Sequence, residues 1–280
     1  PLLLKQLKSG ADADLLALSR AAIARLGARF PPEKPAAPNV SSGALLACGG
    51  GAISEEIWRR FIELAGGVDA PIVVLPIANP GDLAPKLVEK LKRLGCRDVT
   101  VLGQHTKKDV EAPEFIDALK RAKGVFFGGG RQWRYVDAYE GTVAEELLRD
   151  VLARGGVIAG SSAGSAIQGQ YMVRGNPLGN LDIMAEGYEH GLGFLPGAAI
   201  DIHVTERGRL KEMVELVATF PQILGISLDE GVAAEIRGPL LTVLGKGKTH
   251  VVTPGTEPLP LVAGDRYHLI DRKKLDNESK

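Results

Sequence analysis

The chain has 280 residues, 45% of them hydrophobic, enough to bury a sizeable core in one large domain or two small ones. Basic and acidic residues both number 34, which excludes a general electrostatic attraction to nucleic acid or to an anionic membrane; any anion site must be local. Cys48 and Cys96 show neither metal spacing nor a disulfide framework and read as buried thiols, so neither metal nor cofactor is expected.

Along the chain, Asp12 to Arg29 places Leu15, Leu18, Ala22 and Leu26 at helical spacing, with Arg20, Arg25 and Arg29 elsewhere on the wheel. This predicts an amphipathic helix that docks on the body of the protein or on a second copy of it, so a homodimer is one expectation. The prolines at 31, 32, 35 and 38 then read as a semi-rigid linker. Residues 1–40 are thus set apart from one α/β domain over 41–280, with a core at about 44–236 and a β-rich extension and tail at 237–280. No apolar run reaches the ~20 residues of a membrane span. A cytoplasmic location is expected, or a secreted one if an N-terminal signal has been removed.

From Ala44 an alternation sets in. Strands are predicted at Ala44–Cys48, Ile72–Ile77, Val99–Leu102, Val125–Phe127 and Val157–Ala159. Helices lie between them at about Glu55–Ala65, Leu83–Leu94, Glu114–Ala122 and Val143–Arg154. Such a pattern implies right-handed crossovers and a three-layer αβα arrangement around one mostly parallel sheet. Ligands of open sheets of this kind bind beyond the carboxyl ends of the strands. Glycine triplets at 49–51 and 128–130 fall at such ends; neither fits a dinucleotide or P-loop motif, and both read as structural turns.

The last of these strands runs into Gly160-Ser161-Ser162-Ala163-Gly164, which reads as a sharp turn and then a helix. A serine on such an elbow stands exposed above the sheet, with the next N–H facing an oxyanion and the helix N-terminus behind it. A small-residue packing turn is the alternative. Beyond it, Gln170 to Pro196 is long and without periodicity, as active-site and interface loops are. Ala199–Val204 follows as a strand, 208–220 as a helix and Leu224–Leu228 as a strand ending at Asp229-Glu230. Val232–Ile236, Leu240–Leu244 and His250–Val252 are expected to form an antiparallel meander, Tyr267–Ile270 another strand, and Asp271–Lys280 a fraying tail.

A serine hydroxyl needs a base, and the base a third group that holds its tautomer. Of the five histidines, His203 projects from a strand end on the rim that carries Ser162; His105, His250 and His268 fall in surface-like contexts, and His190 in the long loop. Two carboxylates compete for the third place, Asp182 and Glu230, and Asp229 and Glu230 should not both face one histidine.

Four blocks in order carry a resemblance: Phe127-Gly128-Gly129-Gly130-Arg131-Gln132, the elbow, Asp201-Ile202-His203 with Arg207-Gly208-Arg209, and Gly225 to Glu230. Together they resemble the cyanophycinase and α-aspartyl dipeptidase family of serine peptidases, with a fold similar to class I glutamine amidotransferases. The resemblance implies a Ser162–His203–Glu230 triad and an oxyanion hole from the amides of Gly130 and Ala163. It also implies a substrate pocket lined by Gln132, Asp201, Arg207 and Arg209. The implied substrate is a small acidic peptide or cyanophycin, a polyaspartate carrying arginine on its side-chain carboxyls. Two departures bear on specificity: Ile202 stands where a polar residue is expected, and Glu212 where an arginine is. The expected activity is hydrolysis of aspartyl or β-aspartyl peptide bonds; a general esterase or a catalytically idle peptide binder of the same fold are the alternatives.

Overall fold

In a computed structural model, residues 36–79 and 83–276 are described. The amphipathic segment Asp12–Arg29 and most of the proline-rich linker lie outside them. The α/β expectation holds, but the strands fall into two sheets rather than one.

The larger sheet is built on β1 (Val40–Cys48), β2 (Ile72–Leu75), β3 (Val99–Val101), β4 (Gly124–Phe127) and β5 (Val157–Ser161). These five run parallel in the order β1-β5-β4-β2-β3. Their short, almost wholly apolar sequences are those of strands covered on both faces. On one face α1 (Glu55–Ala65) and α2 (Leu83–Arg93) bury Ile57, Trp58, Phe61, Ile62, Leu87 and Leu91 against Leu46, Ile72, Val74 and Phe126. The hydroxyl of Ser54 accepts from the Ile57 amide and starts α1 where the sequence predicts; Gly66, in the left-handed region, ends it. On the other face lie α3 (Pro113–Arg121), α4 (Trp133–Tyr139) and α5 (Val143–Ala153). Helix α4 was not expected, because seven residues give little periodicity to read.

The elbow follows β5, and the helix after it, α6 (Ala163–Ala166), is a single turn. The expected reinforcement by a helix macrodipole therefore falls away, since one turn aligns few peptide dipoles. A second, five-stranded sheet comprises β6 (Gly169–Tyr171), β7 (Leu195–Ile202) and β8 (Leu224–Leu228), then β11 (Thr249–Val252) and β12 (Leu259–Leu261). Its Ala198, Ile200 and Ile226 join the core of the first sheet, while Ala199 and Val252 on the opposite face are covered by α7 (Leu210–Thr219).

The predicted meander is split between the sheets. β9 (Val232–Gly238) crosses to pair antiparallel with β1 and is followed by β10 (Leu240–Gly245), whereas β11 returns to β8. Alternation along each strand is satisfied equally by either partner, so pattern alone does not select the sheet. Further out, β13 (Arg266–His268) pairs β10, and β14 (Lys273–Leu275) pairs β13 where fraying was expected. Both cysteines are buried and free, and burial pushes the Cys48 thiol up to about 12. His250, expected near the surface, is buried on β11 with its Nδ1 unpartnered.

Candidate active site

The elbow geometry is dictated by its two glycines. A Cβ on Gly160 would run into the backbone of Gly164, and one on Gly164 into the carbonyl of Phe127. With that space kept clear, Ser162 turns at φ 55° and ψ −118°, its N–H donating to the Cys48 carbonyl at 3.0 Å. A non-glycine residue with such a φ is strained and persists only where its surroundings over-determine it. His203 (φ 55°) and Arg174 (φ 57°) share the feature; among the described residues only Arg272 otherwise does. Three of these four residues line or adjoin one pocket.

His203 follows β7, and its N–H donates to the Gly49 carbonyl at 3.0 Å. The first glycine triplet proves to be the floor beneath it: a Cβ on Gly50 would clash with the His203 ring, and one on Gly51 with the Glu230 carboxylate. The imidazole is thus set by backbone alone on one side. Its Nε2 lies 2.8 Å from Ser162 Oγ and its Nδ1 2.5 Å from Glu230 Oε1. A carboxylate only accepts, so the ring proton sits on Nδ1 and Nε2 is left to accept from the hydroxyl. Burial holds the imidazole below its ordinary pKa of 6.5, Arg207 and Arg209 press it further down, and the bond to Glu230 opposes them. The ring is therefore neutral at neutral pH.

Asp229 and Glu230 diverge as strand geometry requires. Asp229 is buried and braces two turns, accepting from the amides of Thr205 at 3.2 Å and Lys248 at 3.1 Å. Glu230 is left to reach the imidazole. Asp182 lies on an exposed loop, accepting from Asn176 Nδ2 at 2.8 Å.

Ser162 opens into a pocket of about 220 Å³ lined by Gly130, Gln132, Asn180 and Ile202 and by four arginines, 131, 174, 207 and 209. The amides of Gly130 and Ala163 have no hydrogen-bond acceptor among the described residues. Two free N–H groups flanking a serine are what a developing oxyanion requires.

The four residues expected to line the pocket take different places. Arg207 is exposed at its mouth; Arg209 is buried, donates to the Ile202 carbonyl at 3.1 Å, and is driven down to about 10 by burial with Arg174 alongside. Gln132 lines the wall but spends its amide on the Val173 carbonyl at 2.7 Å. Asp201 is not on the pocket surface: it is wholly buried behind Arg174, whose Nε and Nη2 grip its two oxygens at 2.9 Å each. A carboxylate with no exposure needs such a partner.

Arg174 itself is absent from the sequence expectations because it lies in the aperiodic stretch after β6. Its Nη1 also donates to Glu212 Oε2 at 2.8 Å, so the acidic departure at 212 pairs with a cation supplied from another loop. Arg131 donates to the carbonyls of Asn176 and Gly179 and ties that loop to the pocket.

Residues 45–244 match the model of peptidase family S51. The chain belongs to that family. It is 31% identical to cyanophycinase of Trichormus variabilis over 271 residues, which cover 85% of this chain and 89% of that one. Peptidase E of Escherichia coli is 27% identical over 194 residues, 66% of this chain and 80% of that one. The fold is shared with a crystal structure of a peptidase from an acI-B1 actinobacterium, at a TM-score of 0.63 and 20% identity, covering 81% of this chain and 97% of the other. This S51 chain is accordingly a serine peptidase acting on peptide substrates. Among its described residues no helix is long and apolar enough to cross a membrane.

Proposed function

We propose that this S51 peptidase hydrolyses aspartyl or β-aspartyl bonds of small acidic peptides through an acyl-enzyme on Ser162. The observation that carries the reading is the unbroken contact from hydroxyl to imidazole to carboxylate, 2.8 Å and then 2.5 Å, at the mouth of an arginine-lined pocket. Ser162 Oγ attacks the carbonyl carbon as His203 Nε2 takes its proton, and Glu230 stabilises the imidazolium. The carbonyl electron pair moves onto oxygen, which the amides of Gly130 and Ala163 receive. Collapse expels the amine, protonated by His203, and water then repeats the sequence in reverse to release the acid. The guanidinium forks suit a substrate carboxylate, which they bind bidentately.

The test is a side-by-side assay of aspartyl dipeptides, β-aspartyl-arginine, cyanophycin granules and small activated esters. Turnover of at least one aspartyl substrate, faster than that of any ester, is expected; cleavage of the esters alone would establish a general esterase instead. With a neutral base in the resting enzyme, kcat/KM should rise with pH along one limb centred below 6.5 and level off before pH 7. A limb centred above 6.5 would remove His203 from the role of base.

A further inference from the structure

Most of the charge around the pocket is positive, and its distribution is uneven. Arg207 and Arg209 have no ion-pair partner among the described residues; Arg131 is spent on two carbonyls. Arg174 is balanced by Asp201, gripped through two nitrogens, and by Glu212, whose side chain is 40% exposed. Its Nη1 also faces the Asn180 carbonyl at 3.3 Å. Asp201 has no capacity left for a guest, because Oδ1 accepts from the Ile202 amide as well as from Arg174 Nε, and Oδ2 from Nη2. None of the pocket-lining residues is an acid. A guanidinium entering the pocket would meet four others and no open carboxylate, whereas a carboxylate would meet two unpaired forks.

The chain goes to some length to deliver Arg174. It accepts a left-handed backbone there and anchors the preceding Val173 carbonyl through Gln132. We propose that Arg174 determines the specificity of this pocket. By occupying the buried Asp201 with its own guanidinium, it excludes peptides that carry arginine beside the scissile bond and reserves the site for those with a free carboxylate there. The inference rests on the Ser162-centred reading above, and it separates the chain from an arginine-capped polymer as substrate.

Calorimetric titration of the wild-type protein with succinate and with agmatine tests it without requiring turnover. Succinate should bind at least ten-fold more tightly than agmatine. Comparable binding of the two, or no binding of succinate, overturns the proposal. Arg174→Gln, its fold checked by circular dichroism, should gain agmatine binding and lose succinate affinity about five-fold; an unchanged ratio overturns the role of Arg174. Should that variant not fold, Glu212→Gln, at a half-exposed position, removes one anion from Arg174 and should tighten succinate several-fold; unchanged or weaker affinity overturns the proposal. Labelling of Ser162 by a serine-reactive phosphonate reports separately on the nucleophile. Succinate selectivity without labelling sinks the nucleophile assignment alone, and labelling without selectivity sinks the Arg174 assignment alone.

Discussion

Ser162→Ala is expected to abolish hydrolysis while leaving the fold intact. The change deletes one oxygen, the atom 2.8 Å from His203 Nε2, and leaves the backbone that defines the elbow. Alanine tolerates φ 55° about as well as serine, and the contacts that impose it come from Gly160, Gly164 and Cys48 rather than from the hydroxyl. Loss of a nucleophile that acts as one unit with its base lowers kcat on the order of 10⁴- to 10⁶-fold. Urea unfolding should place the variant within about 1 kcal/mol of the parent, as expected where no packing or buried hydrogen bond is lost. Turnover within ten-fold of the parent would show that the acyl group is carried elsewhere or that water attacks directly.

Glu230→Gln should lower kcat about 10³- to 10⁴-fold, and Asp182→Asn should leave it within about two-fold. Glutamine has the same shape, but its amide can also donate, so Nδ1 is free to become the acceptor. The ring proton then moves to Nε2, which can no longer take the proton from Ser162. The lost negative charge also leaves the imidazolium unopposed beside Arg207 and Arg209, both of which already disfavour it. Asp182 sits on an exposed loop with Asn176, where substitution perturbs one surface hydrogen bond. Rates measured on the best substrate of the panel decide between them, and the reverse ranking would make Asp182 the third member after loop movement.

The site stands where two sheets meet. Ser162 follows β5 of the larger sheet, His203 follows β7 of the smaller, and Glu230 lies in the turn that crosses from β8 to β9. The first glycine triplet at the end of β1 joins these segments, because only residues without a Cβ allow the imidazole and the carboxylate to lie against that backbone. Replacing any of the three glycines with a bulkier residue acts on the chemistry through the position of His203.

Much of this was legible in the chain alone. The apolar strands alternating with capped helices specified an α/β core, since burial on both faces leaves an unbroken hydrophobic run that no exposed element would tolerate. The elbow pentapeptide marked a serine turn because sterics permit few other sequences there. The histidine and the two candidate carboxylates could be placed on a rim by counting from strand ends. What remained for the tertiary structure was everything that depends on which element lies beside which. Pattern assigns a strand its buried face but not its neighbour, so the split into two sheets was invisible, as was the pairing of β14. The buried Asp201 required a cation, yet any of several arginines satisfied that requirement on paper. Only the folded chain selects Arg174, from a loop with no periodicity, because ion pairing depends on distance in space and not on separation along the sequence.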